Sequence, residues 1–345
     1  MVLPHGTGDL YHKYRPRQFK EVAGHKANIT SIRKALTASQ PSQAYLLIGE
    51  SGTGKTTTAR IMALSLNCEE RAKDGEPCLE CKSCKAILSG ACVDIIEKNA
   101  AEHRGIDAVR EISATMPMMP MQVSNKVYIL DEFHQMTKEA QSSLLKVLEE
   151  APSRVFIILC TTHPGKVLPT VKNRCQRFKF DSLKSREIVN LLDEVSTYEA
   201  FSFDDKIIKT VAEASGGSPR NALVLLQQVS QLDKPTLPAI HQLLNTADEA
   251  DPAIIKICLA LGSPKTNWEY LMECYEEVKD KGAAAVGMVM AGVYRNKLIK
   301  SKNKAAAAKY AGVLELFIEP LGEHKLGENQ LVLKLYKAYK LLREK

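Results

Sequence analysis

No stretch of this 345-residue sequence is apolar for long enough to cross a bilayer. The longest run of small apolar residues, Ala283 to Val293, falls far short of the roughly 20 residues a membrane-spanning helix needs. The N-terminus lacks the charged-then-apolar pattern of a secretory signal. A soluble, intracellular chain without a membrane partner is therefore expected. Paired cysteines are also lacking in number: nine, an odd count, argue against a secreted disulfide framework. Most of the chain has little net charge of either sign. The overall charge is +7, yet Lys281 to Lys345 alone holds 13 Lys plus Arg against 5 Glu, so the remainder is close to neutral. Such a basic segment can track phosphates, although a solvated helix face is the commoner reason for one. Within it, Val332, Leu335, Tyr339 and Leu342 keep helical spacing while Lys334, Lys337 and Lys340 mark another face. The apolar face needs a buried partner, and subunit assembly is its expected role.

The sequence does hold a phosphate-loop pattern, Gly49-Glu50-Ser51-Gly52-Thr53-Gly54-Lys55-Thr56, complete at every defined position. Ala44 to Ile48 before it reads as a buried strand, and Thr57 to Leu66 after it as a helix. Glycines let backbone N–H groups approach phosphate oxygens, and the helix N-terminus adds partial positive charge there. Gly49, Gly52, Thr53, Gly54, Lys55, Thr56 and Thr57 are thus candidate nucleotide contacts. Lys55 is expected at the β- and γ-phosphates and Thr56 on Mg²⁺. The alternative is a chance glycine-rich turn. Downstream, the apolar run from Val127 ends in Asp131 and Glu132, at a sheet edge where ligands usually bind. Asp131 is expected to hold the Mg²⁺ through water and Glu132 to polarise the attacking water. Two acids at a solvated strand end are the competing explanation.

Between these halves lie Cys68, Cys78, Cys81 and Cys84, spaced nine, two and two residues apart. That spacing suits a knuckle of thiolates around tetrahedral Zn²⁺, with four free thiols in a reducing compartment as the alternative. A ferredoxin-type cluster would want a further Cys-Pro, but position 88 is Leu. Four protein ligands leave no open coordination position, so such a metal is structural. Cys92, Cys160, Cys175, Cys258 and Cys274 read as buried free thiols.

From about Tyr14 to Phe180 apolar strands alternate with helical stretches: Ala44 to Ile48, Val93 to Ile96, Val127 to Leu130, Val155 to Cys160 and Arg177 to Phe180. That order predicts a parallel α/β sheet. Helical patterns follow from Ser185 through roughly Leu232, and Gly216-Gly217-Ser218-Pro219 opens one of those helices at Arg220. Pro235, Pro238 and Asp248-Glu249-Ala250-Asp251-Pro252 mark a second boundary before a helical remainder. The expected parts are residues 1–182, 183–246 and 247–345.

Lys13-Tyr14-Arg15-Pro16 through Val22-Ala23-Gly24-His25, the phosphate loop, the cysteine quartet and Asp131-Glu132-Phe133-His134 together carry a family resemblance. So do Leu144 to Pro152, Thr161-Thr162-His163-Pro164, Asn173 to Phe178 and Gly217 to Leu223. From position 10 to about 230 the sequence resembles the gamma/tau subunit of the bacterial DNA polymerase III clamp loader. The resemblance implies an α/β AAA+ ATPase domain with a zinc knuckle, a helical lid and a helical collar. It implies ATP, Mg²⁺ and Zn²⁺ as cofactors. The implied partners are a sliding clamp, primer–template DNA, delta-like and delta-prime-like subunits, and copies of the chain in a pentamer. A cytoplasmic location follows, in a bacterium or in a virus's host. It further implies Thr162 as the sensor, Arg174 as a finger inserted into a neighbouring subunit's site, and Arg220 as the lid sensor. Arg15, Pro16 and Val22 would line the adenine pocket. The long tail of tau forms is expected to be missing.

Departures from the family pattern are Asn173 in place of Ser, Asn221 in place of Asp, and the choices at Asn99 and Phe133. Met116-Pro117-Met118-Met119-Pro120-Met121 is unusual, and core or loop filler is its expected role over a soft partner-binding surface. Two other function classes are open: a non-hydrolysing scaffold subunit, which predicts a degraded phosphate loop, and an AAA+ DNA translocase. The latter would ordinarily lack the cysteine knuckle and add a winged DNA-binding domain, of which there is no sign.

Overall fold

Five short runs rich in aliphatic and β-branched residues pair into one parallel sheet: β1 (Ala44–Gly49), β2 (Ile95–Asn99), β3 (Lys126–Asp131), β4 (Val155–Thr161) and β5 (Gln176–Phe180). Their spatial order is β2-β3-β4-β1-β5, with every neighbouring pair parallel. Parallel strands need crossovers, and helices supply them on both faces. The computed structural model describes residues 4–5, 8–232, 235–237, 240, 252–263, 266–279, 283–301, 303–318 and 324–343. The chain divides into two compact units, Met1–Ile240 and His241–Lys345. The expected boundary at 246/247 lies outside the described residues.

In the first unit, β4 is buried along its whole length and β1 and β3 nearly so, which explains their unbroken apolar runs. One core layer, around Leu46, Tyr128, Phe133, Leu144 and Leu159, packs α5 (Ile106–Thr115) and α6 (Lys138–Glu150) against one face. The other, around Phe19, Ile32, Tyr45, Ile61 and Ile158, packs α2 (Lys26–Leu36) and α3 (Lys55–Asn67). The strand expected at Val93 to Ile96 begins instead at Ile95 and runs to Asn99. Val93 is 57 % exposed and Asp94 is turned inward, its carboxylate accepting the N–H groups of Met121, Gln122 and Val123. The edge position of β2 lets Glu97 and Asn99 stay exposed, which breaks the apolar run a sequence reader looks for.

Beyond β5 come α8 (Ser185–Tyr198), α9 (Asp205–Ala214) and α10 (Pro219–Ser230), the last with Pro at its first position and Ser218 capping Asn221 N–H. The methionine segment is filler only at Met116; Met118, Met119 and Met121 are 61, 66 and 85 % exposed.

The second unit is helical. Its last helix, His324–Arg343, buries Leu331, Leu335 and Ala338 against Ile257, Leu271, Met290 and Tyr294 of the same unit, with Val332, Tyr339 and Leu342 half-buried beside them. The apolar face expected to serve assembly is therefore this unit's own core. Arg343 fastens the helix end by donating to the carbonyls of Ser263 (2.8 Å) and Thr266 (2.7 Å). Among the described residues, no helix is long and apolar enough to cross a membrane.

Candidate nucleotide-binding site and thiol cluster

The phosphate loop joins β1 to α3, and its conformation follows from its glycines. Gly52 has φ +75°, and a Cβ there would lie 2.2 Å from the Ser218 hydroxyl oxygen, at the start of α10. Any side chain would be both strained and obstructed. Thr53 closes the loop by donating its hydroxyl to the Glu50 carbonyl (2.8 Å), and the Lys55 ammonium donates to the same carbonyl (2.7 Å). Lys55 is buried, which lowers its pKa from the ordinary value, a shift partly offset by Cys160, Glu132 and Asp131. A desolvated ammonium at a helix N-terminus is short of counter-charge and suits an anionic ligand.

The loop opens on a cleft of about 880 Å³, a volume that includes its open mouth. Its walls carry Arg15, Pro16 and Val22 on one side, Gly52 to Thr57 on the floor, Asp131 and Glu132 at the end of β3, and Arg220 from α10. Most of the residues singled out in the sequence thus meet in one place. Of the candidates for the nucleotide site, three do not line it. Gly49 packs against β5, where a Cβ would lie 2.1 Å from the Phe180 carbonyl oxygen. Thr162 stands just behind Glu132, donating its hydroxyl to Glu132 Oε2 at 3.2 Å. Arg174 sits on the surface, its Nε donating to Glu149 Oε1 (2.6 Å) and its Nη1 to the Thr170 carbonyl (3.0 Å).

At the acid end, the Thr56 hydroxyl donates to Asp131 Oδ2 (2.6 Å), and Glu132 N–H donates to Asp131 Oδ1 (2.8 Å). Glu132 adopts the left-handed backbone conformation, φ 48°, uncommon for a residue with a Cβ and concentrated at functional sites. Its carboxylate is held from behind by Thr162 and by His134, whose Nδ1 lies 3.3 Å from Oε2. Burial lowers the His134 pKa, outweighing the opposite pull of Glu132. Asp131 and the Thr56 hydroxyl form an oxygen pair fit for a hard divalent cation such as Mg²⁺.

Several participants escaped the sequence reading. Tyr11, on α1 (Leu10–Lys13), lies close to two guanidinium groups, with Arg220 Cζ 4.6 Å and Arg15 Cζ 5.7 Å from its ring centroid. Its place four residues before Arg15 was the available signal. Arg15 Nε donates to the Thr57 hydroxyl (3.2 Å), which ties the N-terminal segment to α3. Leu10 N–H donates to Gln227 Oε1 (2.9 Å) and Tyr14 O–H to Glu199, so the same segment also grips α10 and the end of α8. His134 and Glu149 were quoted only as parts of motifs.

The four cysteines do converge. The sulfur atoms of Cys68, Cys78, Cys81 and Cys84 all lie within 4.8 Å of one another. Tetrahedral Zn–S bonds of ~2.3 Å put sulfurs about 3.8 Å apart, so small side-chain adjustments would close the set. Backbone N–H groups already point at the sulfurs: Cys78 N to Cys68 Sγ (3.2 Å), Cys81 N to Cys78 Sγ (3.3 Å) and Cys84 N to Cys81 Sγ (3.4 Å). Leu79 takes the left-handed φ of 67° that this turn requires. Donor N–H groups stabilise thiolate over thiol, which fits a zinc site. The other five cysteines are buried and unpaired.

The sequence profile of a family described as DNA polymerase III, delta subunit, matches residues 24–184. The chain is 36 % identical over 282 residues to DNA polymerase III subunit tau of Bacillus subtilis (strain 168), covering 81 % of this chain and 50 % of that protein. It is 36 % identical over 225 residues to DNA polymerase III subunit gamma of Buchnera aphidicola subsp. Schizaphis graminum, covering 65 % and 62 % respectively. The chain thus spans only about half to three-fifths of these relatives' length. Among solved structures, a mutant of Thermotoga maritima RuvB aligns with a TM-score of 0.51 at 17 % identity, covering 72 % of this chain and 82 % of that one. At such identity the likeness is one of fold, the AAA+ fold.

Proposed function

Since the chain belongs to the gamma/tau subunit family of DNA polymerase III, we propose that it is an ATP-hydrolysing motor subunit of a clamp loader. It would open a ring-shaped sliding clamp and place it on primer–template DNA in the cytoplasm. The observation that carries the reading is the single cleft in which Lys55, Thr56, Asp131, Glu132 and Arg220 converge with Arg15, Pro16 and Val22. A scaffold subunit that does not hydrolyse ATP has no need of that full set. In this reading residues 1–182 are the ATPase domain, 183–246 the lid and 247–345 the collar through which copies and delta-like partners assemble.

Each side chain then has a task set by its position. Lys55 and the N-terminus of α3 take phosphate charge, while Arg15, Pro16 and Val22 flank the base. Thr56 and Asp131 would hold Mg²⁺, which supplies neutralisation of charge on the transferred phosphoryl group. Glu132, oriented by Thr162, orients the attacking water and takes up its proton. Arg220 reaches in from the lid. Arg174, which does not line its own chain's cleft, would serve a neighbour's. Cys68, Cys78, Cys81 and Cys84 would hold one structural Zn²⁺.

The test is ATP hydrolysis by the chain assembled with its partner subunits, measured with and without clamp and primed DNA. Hydrolysis that both additions stimulate, and that Glu132→Gln abolishes, supports the reading. An assembly that binds clamp and DNA but never hydrolyses ATP would return it to the scaffold class.

A further inference from the structure

The segment between the first two thiols, Glu69 to Pro77, is hydrogen-bonded to three elements outside the thiol cluster. The Ser65 hydroxyl of α3 donates to the Gly75 carbonyl (2.7 Å), and Arg33 Nε of α2 donates to the Asp74 carbonyl (2.7 Å). The third contact bears on the cleft. Glu76 Oε2 accepts the N–H of Phe19 and Oε1 the N–H of Lys20, each at 2.9 Å, while Gln18 Nε2 donates to the Pro77 carbonyl (2.8 Å).

Phe19 and Lys20 begin a 3₁₀ turn, Phe19–Glu21, that delivers Val22 and Ala23 to the cleft wall. The first N–H groups of any helical turn lack partners within it and need an acceptor from elsewhere. Glu21 serves the residues just ahead, accepting from Arg17 N (2.8 Å) and Gln18 N (3.2 Å). Phe19 N–H and Lys20 N–H are served by Glu76, 56 or more residues away in sequence. Phe19 itself is buried in the core, so the turn is pinned by its ring beneath and by Glu76 above.

We propose that Glu76 is a positioning residue for nucleotide binding: from the thiol module it fixes the turn that presents Val22 to the base, without touching the nucleotide. The inference rests on the reading that the cleft takes ATP. Removing the carboxylate leaves two N–H donors without their charged acceptor and frees that wall relative to the phosphate loop, which is held independently by Glu50 and α3. Affinity falls, and the hydrolytic machinery at Asp131 and Glu132 is untouched.

The experiment titrates the full-length, metal-loaded chain with a fluorescent ATP analogue in Mg²⁺, alongside steady-state hydrolysis by the assembled complex. Glu76→Ala is expected to weaken binding by about threefold to thirtyfold, the span that one or two charge-assisted hydrogen bonds support. Its kcat at saturating ATP and its zinc content stay at the wild-type level. Glu76→Gln, which keeps one acceptor oxygen, falls between Ala and wild type. Asp74→Asn, which weakens the Arg33 ion pair but keeps an Oδ1 acceptor for the Glu76 N–H and leaves the Glu76 carboxylate in place, binds as wild type does. A folded Glu76→Ala with wild-type affinity, or one that loses kcat at unchanged affinity, overturns the assignment. If Glu76→Ala does not fold, Glu76→Gln decides: weakened binding supports the role and wild-type binding refutes it. Failure of the wild-type chain to bind the analogue would instead refute the ATP reading itself.

Discussion

The Thr56 hydroxyl donates to Asp131 Oδ2 at 2.6 Å, joining the first turn of α3 to the end of β3 across the intervening strand β4. Two oxygens carried on different elements are thereby set side by side where a divalent cation would be shared. Thr56→Ala removes one of them and leaves the carboxylate in place. The Mg²⁺ concentration for half-maximal hydrolysis is expected to rise about tenfold or more, since loss of one polar partner of a charged group costs ~1.5–3 kcal/mol. A Mg²⁺ titration of ATPase activity measures this, and an unchanged midpoint would contradict the shared-cation assignment.

Lys55 and Glu132 should fail in different ways. Lys55→Ala is expected to lose nucleotide binding, because on the proposed reading the buried ammonium contacts phosphate already in the ground state. Glu132→Gln preserves shape and the Thr162 contact, so it should bind ATP normally and lose at least about 10²-fold in turnover. Filter binding set beside single-turnover hydrolysis separates the two. Wild-type turnover by Glu132→Gln in the assembled complex would remove Glu132 from the mechanism.

Arg174 is paired with Glu149 on its own surface, outside the cleft. If it completes a neighbour's site, its loss is felt only on assembly, at on the order of 10³-fold or more in rate. Mixing Arg174→Ala chains with Glu132→Gln chains should restore hydrolysis at interfaces that receive one intact group from each. No recovery at any mixing ratio would mean the arginine does not act across subunits.

Protein purified without chelators should carry about one zinc per chain. Cys84, fully buried in the cluster, is the informative position. Cys84→Ser is expected to lose the metal and lower the melting temperature of the first unit, with nucleotide binding weakened and not abolished. Bound iron, or metal-free protein of full stability, would count against the knuckle.

In the second unit, Leu335 is 0 % exposed. Leu335→Asp buries a charge with no partner and should destabilise that unit by about 3 kcal/mol or more. Limited proteolysis should then clear the C-terminal unit while the N-terminal one survives and binds nucleotide. Lys337→Gln combined with Lys340→Gln, both on the exposed face, should leave the proteolysis pattern unchanged.

What sequence reading could reach was set by how local each feature is. The phosphate loop and the β3 carboxylates were readable because each is a contiguous pattern whose meaning follows from its own strand or helix. The thiol cluster was readable from spacing alone, since a tetrahedral ion constrains ligand intervals. Glu76 was not, because it bears on the cleft only through Phe19 and Lys20, distant along the chain, and Tyr11, though it lines the cleft beside Arg15, belongs to no motif that marks it. The start of β2 was misplaced because Asp94, a poor strand former, is buried as a cap for the loop at Met121 to Val123. Leu335 was correctly read as needing an apolar partner, but spacing on one helix does not say whether that partner lies in the same chain.

Gly49 has a bearing on how the phosphate-loop motif is tested by mutation. It is the first defined position of that motif, yet what forbids a side chain there is the Phe180 carbonyl of the adjoining strand. Gly49→Ala would thus lose ATP binding by prying β5 from β1, and its lost activity would track its lost folding. Gly52, pressed against Ser218 at the start of α10, would report instead on the fit between the loop and that helix. Two glycines of one signature answer to different masters, and a scan that treats the motif as a single ligand site would assign both defects to phosphate binding.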